Sequence, residues 1–304
     1  MGTRRLAAVL MTALLAGCGP ATAATSGTTG TTGGIALAPV RSAPRTTYPV
    51  GTRQLTVDPT GPRPLPLTVW YPSEGGRPAA GRFPAIVYSH GLRSLPELHA
   101  PLTTRWAAAG FVVAAPTYPR TNLRATHFTR ADVRNQPADG WRVIRYLIRL
   151  DAGRDDPLAG HLDVNRIAAG GHSAGGFTTA GMFTSGHSPR LRSGILIAGG
   201  GLAGAFAGPT APLLFVHGGT DPIVPESVGR AAYDRTPGPA AFLRLVGQGH
   251  GEYLTPGRPG FAEVLATTTD FLRWTLYDDP AAGRRLPADA VRAGVSTFDD
   301  RLTR

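Results

Sequence analysis

Among 304 residues there is one cysteine, at position 18, so no disulfide can form within the domain that follows. The same scarcity removes a thiol nucleophile and any cysteine-built metal site. Lysine is absent: all 31 basic residues are arginine, against 20 acidic ones, for a formal charge of +11. The arginines are scattered and not interleaved with aromatics. They suggest a solvated basic surface, compatible with nearby anionic lipid, and they argue against a nucleic-acid partner. The apolar run at 6–15 is too short to cross a bilayer. None of the histidines outside the region discussed below (His99, His127, His161, His187) has ligand spacing, so no metal and no cofactor is expected. No internal repeat is apparent.

What is present at the start is an export signal. Arg4 and Arg5 precede the apolar run, which ends in Leu15-Ala16-Gly17-Cys18. That ending resembles a bacterial lipoprotein signal, in which the cysteine becomes the lipid-modified N-terminus after cleavage. The expected organisation is a signal peptide at 1–17, a lipidated Cys18 with a Thr/Gly-rich tether to residue 47, and one domain over 48–304. The tether composition cannot bury enough apolar surface to offset its ordering entropy. The corresponding expectations are a monomer and export, either as a cell-surface lipoprotein attached to the membrane through the N-terminal lipid or, with an ordinary signal peptide and an incidental cysteine, as a secreted protein.

The rest of the chain alternates strand and helix patterns. Strands are expected at 52–57, 66–70, 83–89, 111–115, 166–171, 194–198, 213–217 and 242–246, the first two as an antiparallel hairpin. Helices are expected at 97–109, 141–150, 174–183, 227–234 and 261–276. This alternation predicts an α/β fold, a mostly parallel sheet with helices on both faces, whose ligands bind beyond the carboxyl ends of the strands.

Gly171-His172-Ser173-Ala174-Gly175 joins a strand to a helix and matches the G-x-S-x-G nucleophile elbow. A serine in that sharp turn needs tiny residues two positions away on each side. The following helix N-terminus favours developing negative charge. A serine hydroxyl also needs a base, the base an orienting acid, and the acyl oxygen hydrogen-bond donors. Asp221 sits just past the strand at 213–217, and His250 lies in a glycine-flanked loop one strand later. The order Ser173, Asp221, His250 fits a catalytic triad. The backbone amides of Leu92 and Ala174 are the expected oxyanion donors, with Arg93 as the alternative to Leu92. His90, His172 and His217 read as packing or loop-bracing residues.

These residues, together with Leu67-Thr68-Val69-Trp70-Tyr71-Pro72, Tyr88-Ser89-His90-Gly91-Leu92 and Asn135-Gln136-Pro137-Ala138-Asp139, make residues 48–279 resemble the α/β-hydrolase family. The nearest resemblance is to bacterial serine esterases akin to platelet-activating-factor acetylhydrolase, chlorophyllase and dienelactone hydrolase. It implies an eight-stranded-type sheet and hydrolysis of small to medium acyl esters. Dienelactone hydrolases proper use a cysteine nucleophile, which is missing here. Polyester hydrolases usually carry an aromatic in the oxyanion loop and a tryptophan after the strand following the elbow. Leu92 and Ala198-Gly199-Gly200-Gly201-Leu202 occupy those places, so a polymer substrate is not expected. The small-residue segment 198–212 cannot build a lid domain. An open cleft lined by Leu92, Tyr118, Phe177, Ile223 and Val224 is expected, although Tyr118 and Phe177 fit a core equally well. The remaining alternatives are a lipase or phospholipid acetyl-esterase, a peptidase with the same triad, and a lipid-anchored protein that binds without turnover.

Overall fold

The computed structural model describes residues 42–303. The signal at 1–17, Cys18 and the tether up to residue 41 lie outside them. The strands are β1 (Val50–Val57), β2 (Leu65–Glu74), β3 (Arg77–Pro78), β4 (Phe83–Ser89), β5 (Val112–Pro116), β6 (Leu162–His172), β7 (Leu191–Ile197), β8 (Leu213–Gly218), β9 (Ala240–Leu245) and β10 (Ser296–Asp300). The helices are α1 (Ala100–Ala108), α2 (Gln136–Ala152), α3 (Ala174–Met182), α4 (Glu226–Arg235), α5 (Phe261–Tyr277) and α6 (Pro280–Ala290).

One sheet holds all the strands in the order β1-β2-β5-β4-β6-β7-β8-β9-β10, with β3 paired to β2. The central strands from β5 to β9 are parallel, while β1, β2 and β10 run antiparallel to their neighbours. Every side chain of β4 is buried, and they alternate between two cores. Phe83, Ala85 and Val87 join the core that receives Val143, Ile144 and Leu147 of α2, Ala180 of α3 and Tyr233 of α4. Ile86 and Tyr88 join the core built with Trp106 of α1, Phe271 and Leu272 of α5, and Leu286 of α6. Burial on both faces is what a continuously apolar strand requires.

The eight expected strands are all present. Two elements near the C-terminus, α6 and β10, were not expected, so the strand at β9 is not the last. The expected helix at 97–109 begins instead as a tight turn at Pro96–His99 before α1. The segment 198–212 holds no helix or strand, so it builds no lid over the sheet. Residues 42–47, expected to end the tether, make contacts with the domain. Arg273 donates to the Pro44 carbonyl at 3.2 Å, and Ala43 packs partly buried against the second core.

Candidate active site

β6 ends at His172 and α3 begins at Ala174, which leaves Ser173 as the turn between them. Its backbone sits at φ 56°, ψ −121°, a conformation that L-residues avoid and that costs on the order of 1–3 kcal/mol. The neighbouring backbone is too close for a side chain at either flanking glycine. A Cβ on Gly175 would stand 1.9 Å from the Ser89 carbonyl oxygen, and one on Gly171 would stand 2.4 Å from that of Gly175. The two glycines of the motif therefore have a steric cause: the elbow is pressed against the end of β4.

Ser173 Oγ lies 2.8 Å from His250 Nε2, and His250 Nδ1 lies 2.7 Å from Asp221 Oδ2. A carboxylate can only accept, so Nδ1 carries the proton and Nε2 accepts from the serine hydroxyl. Asp221 has a fully buried side chain, while that of His250 is 21% exposed. Burial alone would raise the Asp221 pKa. The His250 hydrogen bond and the amides of Val224 and Ile223, which donate to Oδ1 at 2.9 and 2.8 Å, overcome this and hold it below the usual value. The carboxylate thus stays ionised beside the imidazole.

The Arg93 amide is spent on the Thr121 carbonyl at 2.7 Å, which removes it as an oxyanion donor. The Leu92 amide makes no bond within the described residues. Ala174 opens α3, where the first amides have no intrahelical partner. A Cβ on Gly91 would approach Ser173 Cβ to 3.1 Å, so the loop bearing Leu92 closes on the serine.

Of the expected lining residues, Tyr118 is a correction. It is fully buried, with its hydroxyl 2.8 Å from Ser89 Oγ, and cannot touch a ligand. Leu92, Phe177 and Val224 are partly exposed, and Ile223 is 67% exposed. Ile223 and Val224 also hold the Asp221 carboxylate through their amides.

Four more histidines brace the loops. His90 Nδ1 donates to the Gly91 carbonyl at 2.7 Å, and its Nε2 accepts from the Tyr118 amide at 3.1 Å. His217 Nε2 donates to the Val224 carbonyl at 2.8 Å. His172 Nε2 donates to the carbonyl of His250 itself at 2.5 Å, tying the elbow to the histidine loop. His99, which sequence reasoning set aside, is buried against His172 and is bonded to Tyr88 and Ser94. Its place came from a turn whose burial no local pattern announces. Burial lowers the pKa of His90 and His172 to about 4 and pushes those of His99 and His217 below the usual value. All four are neutral at pH 7.

Among the described residues, no group of His, Cys, Asp or Glu could hold a metal ion. No helix among them is long and apolar enough to cross a membrane. Comparison with curated proteins gives no match. A family described as PET hydrolase-like matches residues 38–250, a span that includes Ser173, Asp221 and His250. With more than half of its length inside that match and its sheet in place, the chain belongs to the PET hydrolase-like family, whose members are serine esterases of the α/β-hydrolase type.

Proposed function

We propose that this protein hydrolyses small to medium acyl carboxylic esters through an acyl-serine intermediate. The observation that carries the reading is the unbroken line from Ser173 Oγ through the His250 ring to Asp221, at 2.8 and 2.7 Å. Ser173 is the nucleophile. His250 takes its proton as the oxygen attacks the ester carbonyl, then returns that proton to the departing alcohol. Asp221 fixes the tautomer and stabilises the imidazolium. The Leu92 and Ala174 amides receive the oxyanion. Water then attacks the acyl-serine, losing its proton to His250, which passes it to Ser173 Oγ as the bond to the acyl group breaks and the acid leaves.

The open segment at 198–212 supports an uncovered cleft suited to soluble esters. The family description favours a second reading, polyester hydrolysis. Leu92 and the Gly/Ala run after β7 supply none of the aromatic surface expected for a polymer chain, so the soluble ester remains the first reading. The proposed setting is the outer cell surface, with a monomer attached through lipid on Cys18. Labelling by a radioactive fatty acid, lost in Cys18→Ala, tests the attachment.

The experiment for activity is turnover of p-nitrophenyl esters of increasing acyl length, alongside release of soluble product from a polyester film. Serine-dependent turnover that declines with acyl length is expected. Wild-type rates in Ser173→Ala would overturn the triad assignment, and film hydrolysis faster than ester turnover would reverse the order of the two readings.

A further inference from the structure

Beyond the carboxyl ends of β4 and β5, two loops run side by side next to the triad. The Arg93 amide bonds the Thr121 carbonyl at 2.7 Å, Ser94 bridges to Asn122, and the Leu123 amide bonds the Ser94 carbonyl at 3.0 Å. These loops carry Arg93, Arg120, Arg124, Arg130 and Arg134, all exposed, in a molecule whose other arginines are scattered. Their carboxylates are Glu97 and Asp132, and Asp132 is buried and held by Arg63 and Asn135. This side of the site is therefore strongly positive.

Arg93 is the member of that set that adjoins the proposed oxyanion donor in the chain. It directly follows Leu92, the oxyanion donor of the proposed reaction. Its backbone sits at φ 49°, in the left-handed region that favours glycine. Its guanidinium lies over the Phe128 ring, 4.1 Å from the centroid, which holds the side chain in a defined direction. It makes no ion pair, and its side-chain N–H groups have no acceptor among the described residues. A planar fork held in one direction, with free donors, on the residue that follows the proposed oxyanion donor suits a carboxylate.

We propose that Arg93 is a specificity-determining residue that selects esters bearing a second, ionised carboxylate on their acyl or alcohol part. The inference rests on the esterase reading and names its substrate class: half-esters of dicarboxylic acids and esters of hydroxy-acids, in preference to neutral esters of equal size.

The test compares kcat/KM for matched soluble pairs. One pair places the charge on the acyl side (mono-p-nitrophenyl adipate against p-nitrophenyl hexanoate). The other places it on the alcohol side (4-acetoxybenzoate against its methyl ester). The wild type is expected to prefer the charged member of at least one pair. Arg93→Gln should reduce that preference about fivefold, the scale of a partly exposed ion pair. Arg124→Gln and, on α6, Arg284→Gln should each change it far less. Equal losses on charged and neutral esters would make Arg93 a loop brace and overturn the proposal. So would a wild type with no preference, or an equal effect from Arg124→Gln, which would mean a diffuse field. Neutral-ester turnover reports separately on the esterase reading. If no ester is turned over, calorimetric binding of 4-acetoxybenzoate to Ser173→Ala, with and without Arg93→Gln, decides the proposal: binding weakened by the substitution sustains it, and its absence overturns it.

Discussion

Gly175 shows how much of this site is set by atoms a few ångströms apart. Its missing Cβ leaves room for the Ser89 carbonyl, which would otherwise be 1.9 Å away, far inside van der Waals contact. The clash is with backbone on a central strand, so no side chain can swing aside to relieve it. Gly175→Ala is expected to cost at least about 3 kcal/mol and to lower soluble yield before any rate can be measured, a loss readable by urea unfolding. Asp221→Asn is a milder change in shape with a larger chemical consequence. The amide keeps the Val224 and Ile223 contacts but can present its NH2 to Nδ1, which favours the wrong imidazole tautomer. Turnover should fall by about 10³- to 10⁴-fold with little change in melting temperature. A loss of less than tenfold would show that His250 needs no orienting acid.

At the scale of elements, β4 and β6 were legible because burial on both faces writes itself as an apolar run. The elbow was legible because its steric demand admits so few residues. β10 was not legible. It is an edge strand of Ser-Thr-Phe-Asp-Asp with only Ser296 fully buried, and its place comes from pairing with β9 and not from its own pattern. α6 hides for a related reason. It contains Gly283 and Pro287, and it is started by Asp279, whose side chain accepts from the Ala281 and Ala282 amides at 2.9 and 3.2 Å. Those caps and the burial of Leu286 against the core hold a helix that propensity alone disfavours. Tyr118 failed as a lining residue because a tyrosine just past a strand end reads the same whether it points to solvent or back into the sheet. β10 covers the free edge of β9, and α6 leads the chain to it. A chain ending at Asp279 should expose that edge and self-associate, visible as aggregation in light scattering at concentrations where the full chain stays dispersed.

At the scale of the whole molecule, four histidines (His90, His99, His172 and His217) are held neutral by burial, and they set its response to acid. His90 is nearly inaccessible, and protonating its Nε2 would break the bond it accepts from the Tyr118 amide. Its pKa falls from 6.5 to about 4, a difference worth about 3 kcal/mol, and burial also lowers those of His99, His172 and His217. In the unfolded chain these rings protonate near pH 6.5, so the unfolded state binds more protons throughout the window from 6.5 down to about 4. Stability is therefore expected to be full above pH 6.5, to fall as the pH drops through that window, and to approach its limit only below the folded values. Asp221, held below its ordinary value, adds a further loss at the acid end as it protonates. Asp289 acts in the opposite direction. Burial and a hydrogen bond with Asp270 raise it to about 6, so it favours the fold as pH falls through that value, but it is only partly buried and solvent screening keeps its effect small. Melting temperature measured from pH 8 to pH 4 should fall steeply below 6.5. His90→Gln, which can still accept from the Tyr118 amide, should start lower at pH 8 yet lose less across the same window, because one ring that must stay neutral is gone. Parallel curves for the two proteins would mean that His90 titrates normally in the fold and that the acid response has another origin.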